Sequence, residues 1–598
     1  MACPRLGFPA ARRSAGVRDR RHGAARPGRG RSSSARGRAT AWRCRSGPLA
    51  RIGIARAAAR RSTLAGPEAS GRRRPAGRPP RLASPTGRAA RARRRAGGSS
   101  RESGGDDREA RTASEGPGEP PFVGFATSVY QSSGGGDSAS NWGDWERKVR
   151  FGKPCTEDRA GVSCDFWNRF KEDLDRASSF GSTCFRLSIE WARIEPLPGV
   201  VDAAAVERYH EIIDAILRRG MTPLATLHHF VHPRWFEELG GFLNPASVAL
   251  FANWTRLALD LFGSKVRLWA SVNEPNVTSF CGQVVGVFPP GRFFGLKRCG
   301  QHLLNTLRAH AACHEVAQRH PVRRLAGVPP LRVGIVISHG RFETVHGGRG
   351  LRHLLARHAA ANMTRMWGNR EIREYLATGR FRWRPIAGVP FLGRFDALDP
   401  KPGCDFIGVN YYSIFTIGDK IGQGTQPGET VTDMGYGLRP EGVVEAARFW
   451  SAVPARRRPG SARPSGSTAS SDGSSDGAPL LSHPIQSDAE VDPVEGALEV
   501  IPFIFTESGV ADKGDAVRTE MIQTHLPEVR RAVEDVGARG YLYWSLVDNF
   551  EWAFGYRMKF GIYAWSPEGD QRRQMRPSGR LLADWFGKLR ESRVGVPK

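Results

Sequence analysis

The sequence predicts an α/β protein of the (β/α)8 barrel class, and three observations carry that reading. Apolar runs of strand length recur eight times, at 122–128, 184–191, 222–229, 267–274, 332–338, 405–412, 502–507 and 541–546. Stretches with helical periodicity separate them, which is the mark of βα repeats on a parallel sheet. No glycine-rich phosphate loop follows the first run, and this weighs against an open doubly wound sheet. Eight such strands close into a barrel whose C-terminal strand ends carry the chemistry.

Ahead of the first strand, residues 1–118 are rich in Arg, Ala, Gly, Ser and Pro and lack apolar periodicity. Such a composition cannot bury enough apolar surface to offset chain entropy, so the segment reads as disordered. Residues 1–100 hold 27 arginines, no lysine, and only Asp19 and Glu68 as acids. Three origins fit: an organellar transit peptide, a basic arm for nucleic acid, or translated GC-rich upstream DNA. The rest of the chain carries 62 basic against 57 acidic residues, so the charge of the domain at 119–598 points to no nucleic-acid partner.

Two of the intervening helices are legible in detail. Asp202 can cap one that carries Val206, Tyr209, Ile212, Ile213, Ile216 and Leu217 as an apolar stripe and ends at Gly220. A second runs from Asp515 to Gly537 with Val517, Met521, Leu526, Val529 and Val533. Residues 454–493, between the sixth and seventh strands, are Ser/Gly/Pro-rich and read as a flexible surface insertion. No run approaches the 18 apolar residues of a membrane span, and the N-terminus lacks the apolar core of a secretory signal. Nine cysteines are scattered without a CxxC pair, which argues against a zinc ribbon. Cys155 and Cys164 could bridge a loop, but free buried thiols in a reducing compartment are the simpler reading. An intracellular location, cytoplasmic or organellar, is favoured over secretion.

The fourth and seventh runs share one form. LWASVNEP (268–275) and IPFIFTESG (501–509) are buried strands that close on a carboxylate, Glu274 and Glu507. A strand-end glutamate taken alone reads as half of an ion pair. Two of them at one barrel mouth suit cleavage of a glycosidic bond, with one carboxyl protonating the leaving oxygen and the other attacking the sugar or activating water.

The surrounding motifs strengthen this. FATSVYQ (125–131), FRLSIEWARIEP (185–196), TLHHF (226–230), NEP (273–275), NYY (410–412), TESG (506–509) and YWSLVDNFEWAFGY (543–556) closely resemble the β-glucosidase/β-galactosidase family, glycoside hydrolase family 1. The resemblance runs from about Pro121 to Phe586 apart from the insertion. It implies a retaining β-glycosidase that needs no cofactor or metal, with Glu274 as acid/base and Glu507 as nucleophile. It implies that Arg186 keeps Glu507 ionised and oriented and that Tyr412 donates to it. Gln131, His229, Asn273, Glu551 and Trp552 correspond to the residues gripping the sugar hydroxyls, and Trp544 to the floor beneath the ring.

Alone, Trp544 and Trp552 would read as core aromatics. His228 and His229, adjacent on a strand, cannot both face the pocket, so a metal site with His232 is not expected. Asn276-Val277-Thr278 is formally a glycosylation sequon but abuts Glu274. The chain departs from the family in carrying Ser132-Ser133 after Gln131 and Ser508 after Glu507. Intact Glu551 disfavours phosphorylated sugars. A transglycosylase using the same pair and a catalytically idle carbohydrate-binding barrel are the alternatives; retention of both glutamates weighs against the latter. The oligomeric state is not legible.

Overall fold

The computed structural model describes residues 120–135, 139–389, 391–455 and 500–595. The basic extension at 1–118, and the insertion apart from its first two residues, lie outside the described residues.

Each of the eight runs corresponds to a barrel strand, with β5, β7 and β8 overrunning by one residue: β1 Phe122–Ala126, β2 Cys184–Ser188, β3 Thr222–Thr226, β4 Leu268–Asn273, β5 Arg332–His339, β6 Ile407–Tyr411, β7 Phe503–Ser508 and β8 Gly540–Tyr543. They pair in parallel in sequence order, and β1 closes the ring by bonding both β2 and β8. β2, β3 and β8 stop three residues short of the expected ends, at Ser188, Thr226 and Tyr543. Ile189, Leu227 and His228 still bond across to the neighbouring strands beyond those points, and the chain then goes on to form the mouth.

Period-2 alternation sorts the side chains into two layers. Ala126, Leu224, Leu268, Ala270, Val336, Ile504 and Leu542 fill the lumen. Val123, Phe125, Leu187, Trp269, Ile335, Val409, Phe503 and Phe505 pack outward among the helices. Burying one such side chain contributes on the order of 2 kcal/mol.

The helix Ala203–Arg218 starts where expected, with the Asp202 carboxylate accepting from the Ala205 amide, and Gly220 follows it at φ +71°. Tyr209, Ile212, Ile213 and Ile216 are buried, but Leu217 is exposed, because it lies one step round the helix from the core-facing stripe. The second helix spans Ala516–Arg531 and passes through a π-helical turn, Ala532–Val536, to Gly537. The seven cysteines among the described residues are all free; Cys155 and Cys404 are partly buried and the other five buried. No helix among the described residues is long and apolar enough to cross a membrane.

At the insertion, Pro454 and Val500 pair in an isolated antiparallel bridge, and the Ile501 amide donates to the Val453 carbonyl at 2.9 Å. The insertion therefore leaves and re-enters at adjacent points, just ahead of β7 and at the end of the barrel opposite the mouth.

Candidate active site

Both glutamates reach the mouth through an irregularity in their strands. Along β6 and β7, Val409 pairs with Phe505, but Asn410 pairs with Glu507, so Thr506 is one residue extra. Along β4 and β5, Ala270 pairs with Gly334 and Asn273 with Val336, three steps against two. These are β-bulges, which re-aim side chains beside functional sites. Strict alternation from Phe503 and Phe505 would point Glu507 outward at the helices. The bulge turns it into the lumen. Glu274 follows β4 at φ +46°, a left-handed conformation that costs a non-glycine residue about 1–2 kcal/mol.

A buried polar network joins the two. Arg186 on β2 donates from Nη1 to Glu507 Oε1 at 2.5 Å, from Nη2 to Asn273 Oδ1 at 2.6 Å and from Nε to Thr226 Oγ1 at 3.1 Å. Tyr412, just past β6, donates its hydroxyl to Glu507 Oε2 at 2.8 Å. Burial, together with the Glu507 charge, pushes the Tyr412 phenol well above its ordinary range, so it stays a donor. Both oxygens of Glu507 are thus held by donors from the wall.

Glu274 has different company. Its Oε1 accepts from Asn410 Nδ2 at 2.9 Å, and its Oε2 is buried without a partner among the described residues. Burial in the first place, and the charge on Glu507 in the second, raise its pKa to about 7. Asn410 also donates to Asn273 Oδ1 at 3.2 Å and accepts from Thr506 Oγ1 at 2.8 Å. The sequence reading overlooked Asn410, although it lies in the NYY motif two residues before Tyr412, hence on the same strand face.

The remaining anticipated residues gather round this pair. Asn273 Oδ1 is taken by Arg186, so its amide nitrogen faces His229 Nε2 at 3.2 Å. Burial and the Arg186 charge hold the His229 pKa well below its ordinary value, so the ring is neutral, with its proton on Nδ1. That Nδ1 has no partner among the described residues, and neither do Gln131 Oε1 and Trp552 Nε1. Gln131 Nε2 donates to Glu551 Oε2 at 3.2 Å and to the Phe550 carbonyl at 3.0 Å. Burial, then the charges of Glu507 and Glu274, raise Glu551 to about 8. Trp544 and Trp552 each lie stacked against His229, with ring centroids 6.0 and 6.3 Å away.

His228 turns elsewhere. Its Nε2 meets His232 Nδ1 at 3.2 Å, and His232 Nε2 meets Glu237 at 2.8 Å. Asn276 is buried, with its amide donated to the Ser338 carbonyl at 2.7 Å, so the sequon is inaccessible to glycosylation. Of the two departures, the Ser508 and Ser133 hydroxyls are buried without partners among the described residues, while Ser132 Oγ donates to the Ser128 carbonyl at 2.8 Å.

A carboxyl that holds its proton near neutrality, beside a carboxylate clamped by a guanidinium and a phenol, is equipped for glycosyl transfer. The model of glycosyl hydrolase family 1 matches residues 121–592. The chain belongs to glycosyl hydrolase family 1. It is a glycoside hydrolase of the β-glucosidase type. Among this family 1 enzyme's relatives, β-glucosidase 47 of Arabidopsis thaliana is 28% identical over 496 residues, covering 78% of this chain and 83% of that protein. The coniferin β-glucosidase of Pinus contorta is 27% identical over 494 residues, covering 78% and 90%. The solved β-glycosidase of Pyrococcus horikoshii superposes with a TM-score of 0.59 at 26% identity, covering 80% of this chain and 95% of that one.

Proposed function

We propose that the enzyme hydrolyses β-glycosides of unphosphorylated sugars by double displacement, with Glu507 as nucleophile and Glu274 as acid/base. The observation that carries this assignment is the unequal hold on the two carboxylates. Arg186 and Tyr412 together fix both oxygens of Glu507 and orient it for attack on the anomeric carbon. Glu274, held by one neutral amide, retains a free oxygen and a proton up to about pH 7, as protonation of a leaving oxygen requires. Attack by Glu507 expels the aglycone as Glu274 gives up its proton. Glu274, now a base, then activates the water that cleaves the glycosyl ester.

The free polar atoms support a sugar ligand. His229 Nδ1–H and Trp552 Nε1–H are donors, and Gln131 Oε1 is an acceptor. A polyol supplies hydroxyls that answer both kinds, and a substrate lacking one leaves a buried polar atom unpaired. On this reading Asn273 bonds the 2-hydroxyl, a contact that strengthens in the oxocarbenium-like transition state. Glu551 shares Gln131 with the outer hydroxyls and would oppose a 6-phosphate when ionised.

The test is a panel of aryl β-glycosides and their 6-phosphates, with the first-formed sugar identified by NMR. β-Sugar released from unphosphorylated substrates is expected, and Glu551→Ser should lower that activity about 10- to 100-fold while narrowing the gap to the phosphorylated series. An α-sugar formed first, or preference of the unmutated enzyme for the phosphates, would refute the assignment.

A further inference from the structure

The helix Gly350–Trp367, inserted between β5 and β6, carries a feature that folding does not explain. Leu351, Leu354 and Leu355 are 71%, 59% and 49% exposed. Their spacing, i, i+3 and i+4, sets them on one face. The helix is anchored by its other side, where Ala356 and Ala360 pack with Ile417 from beyond β6. Beside the leucines stand Arg349, Arg352 and Arg357, all exposed. None of the three has a carboxylate partner among the described residues, although other surface arginines do, Arg384 with Asp396 and Arg557 with Glu157 among them.

The same character continues around the mouth. Phe151, on the connection after β1, Phe294, after β4, and Phe391, between β5 and β6, are each more than four-fifths exposed. Phe151 packs on Phe293 with centroids 5.8 Å apart, and Arg150 lies over both rings. Gly393 abuts Leu296, which brings the Phe391 hairpin up to the Phe294 loop. These residues follow the C-terminal ends of their strands, the end that holds Glu274 and Glu507. The three leucines make one contiguous exposed apolar face beside cations without carboxylate partners among the described residues, and such a patch marks an interaction surface, which the single phenylalanines extend.

We propose that this rim docks on an anionic lipid bilayer surface and presents the mouth to β-glycosides carried on a lipid aglycone; the second half of the statement rests on the β-glycosidase reading above. A bilayer interface takes up scattered Leu and Phe side chains without needing a complementary groove. Anionic head groups answer the arginines that the protein leaves unpaired. A rim of short loops and one helix face is a perimeter and not a cleft, so it suits a fluid interface better than a folded partner.

The experiment is co-sedimentation of the full chain with vesicles of phosphatidylcholine and phosphatidylglycerol, and with phosphatidylcholine alone. Residues 1–100 are themselves strongly basic, so the informative comparison is between the unmutated protein and the triple variant Leu351→Ser, Leu354→Ser, Leu355→Ser. All three sites are exposed, and the variant should keep its Tm. Binding to the anionic vesicles should fall about tenfold or more in the triple variant and in Arg352→Glu/Arg357→Glu. Hydrolysis of a dodecyl β-glucoside held in those vesicles should fall in parallel, with p-nitrophenyl β-glucoside turnover unchanged. Equal vesicle binding by unmutated and triple-variant protein would overturn the proposal. So would a dimer, seen by light scattering and dispersed by the leucine changes, in protein that ignores vesicles. Failure of the unmutated enzyme on the aryl glucoside would instead strike the glycosidase reading.

Discussion

Glu507 and Glu274 are the same residue type at the ends of two bulged strands in one barrel, yet their surroundings differ. Glu507 meets a guanidinium and a phenol, one on each oxygen. Glu274 meets one neutral amide, apolar burial and a nearby negative charge, and its pKa rises to about 7. On the proposed assignment, what the environment supplies, opposite charge in one case and desolvation in the other, divides nucleophile from acid. In a pair with equal surroundings nothing would decide which of the two carboxyls keeps the shared proton.

The strongest way to break this comparison is to remove each carboxylate in turn. Glu507→Ala should lose on the order of 10⁵-fold in turnover on every substrate, and added azide should give an α-glycosyl azide. Glu274→Ala should lose about 10²- to 10⁴-fold on aglycones that need protonation and much less on those that do not. Azide should restore its turnover and give the β-product. Product stereochemistry by NMR checks both; the same anomer from the two variants would show the roles to be misassigned.

Tyr412→Phe sharpens the comparison by loosening Glu507 alone. It should lower kcat about 10- to 100-fold and leave the leaving-group dependence on Glu274 intact. If leaving-group sensitivity changes as much as kcat, the phenol serves both glutamates.

The raised pKa of Glu274 has two consequences with a definite sign. Activity on substrates that need the acid should fall as pH rises through about 7. In the folded state the carboxyl holds its proton up to about 7 from an ordinary value of 4.5, so the stability tied to that proton is complete below 4.5 and is lost as pH rises through 7. Glu274→Gln, which never ionises, should therefore be more stable than the parent above pH 8 by on the order of 3 kcal/mol, and similar to it below pH 4.5. Chemical denaturation at the two pH values measures the difference. A variant no more stable at pH 8.5 would remove the electrostatic basis of the comparison.

The smallest effect is expected at the far end of the barrel. Pro454 and Val500 already pair, so a short Gly/Ser link in place of residues 456–499 should keep turnover within about twofold and shift Tm by only a few degrees. Removing residues 1–118 should likewise leave turnover per folded molecule within a few-fold. A loss of orders of magnitude in folded protein would tie either segment to the mouth.

Much of this molecule was legible beforehand because two periodicities encode it. Phe503 and Phe505 against Ile504, or Tyr209, Ile212 and Ile216 along one helix face, announce strand and helix through what must be buried. The motifs then pointed to most of the polar residues that meet at the mouth, though Asn410, Thr226 and Thr506 joined the network without having been singled out. Asn410 was missed because a neutral amide in a strand carries no signal of its own; only its position opposite Glu507 gives it a task. Leu217 was misplaced because one residue is about 100° of helix.

The order of strands and the family were decided by the sequence alone, the first through local pattern and the second through its motifs. The facing of Glu507 was not. Alternation assigns it to the outer layer, and only the extra residue in β7, set by pairing with β6, turns it inward. The protonation of Glu274 was likewise decided by tertiary structure. A free glutamate ionises well below neutral pH, and what raises this one is burial and a second carboxylate from a strand more than two hundred residues away. Solvation and distance are properties of the closed barrel, and no stretch of sequence carries them.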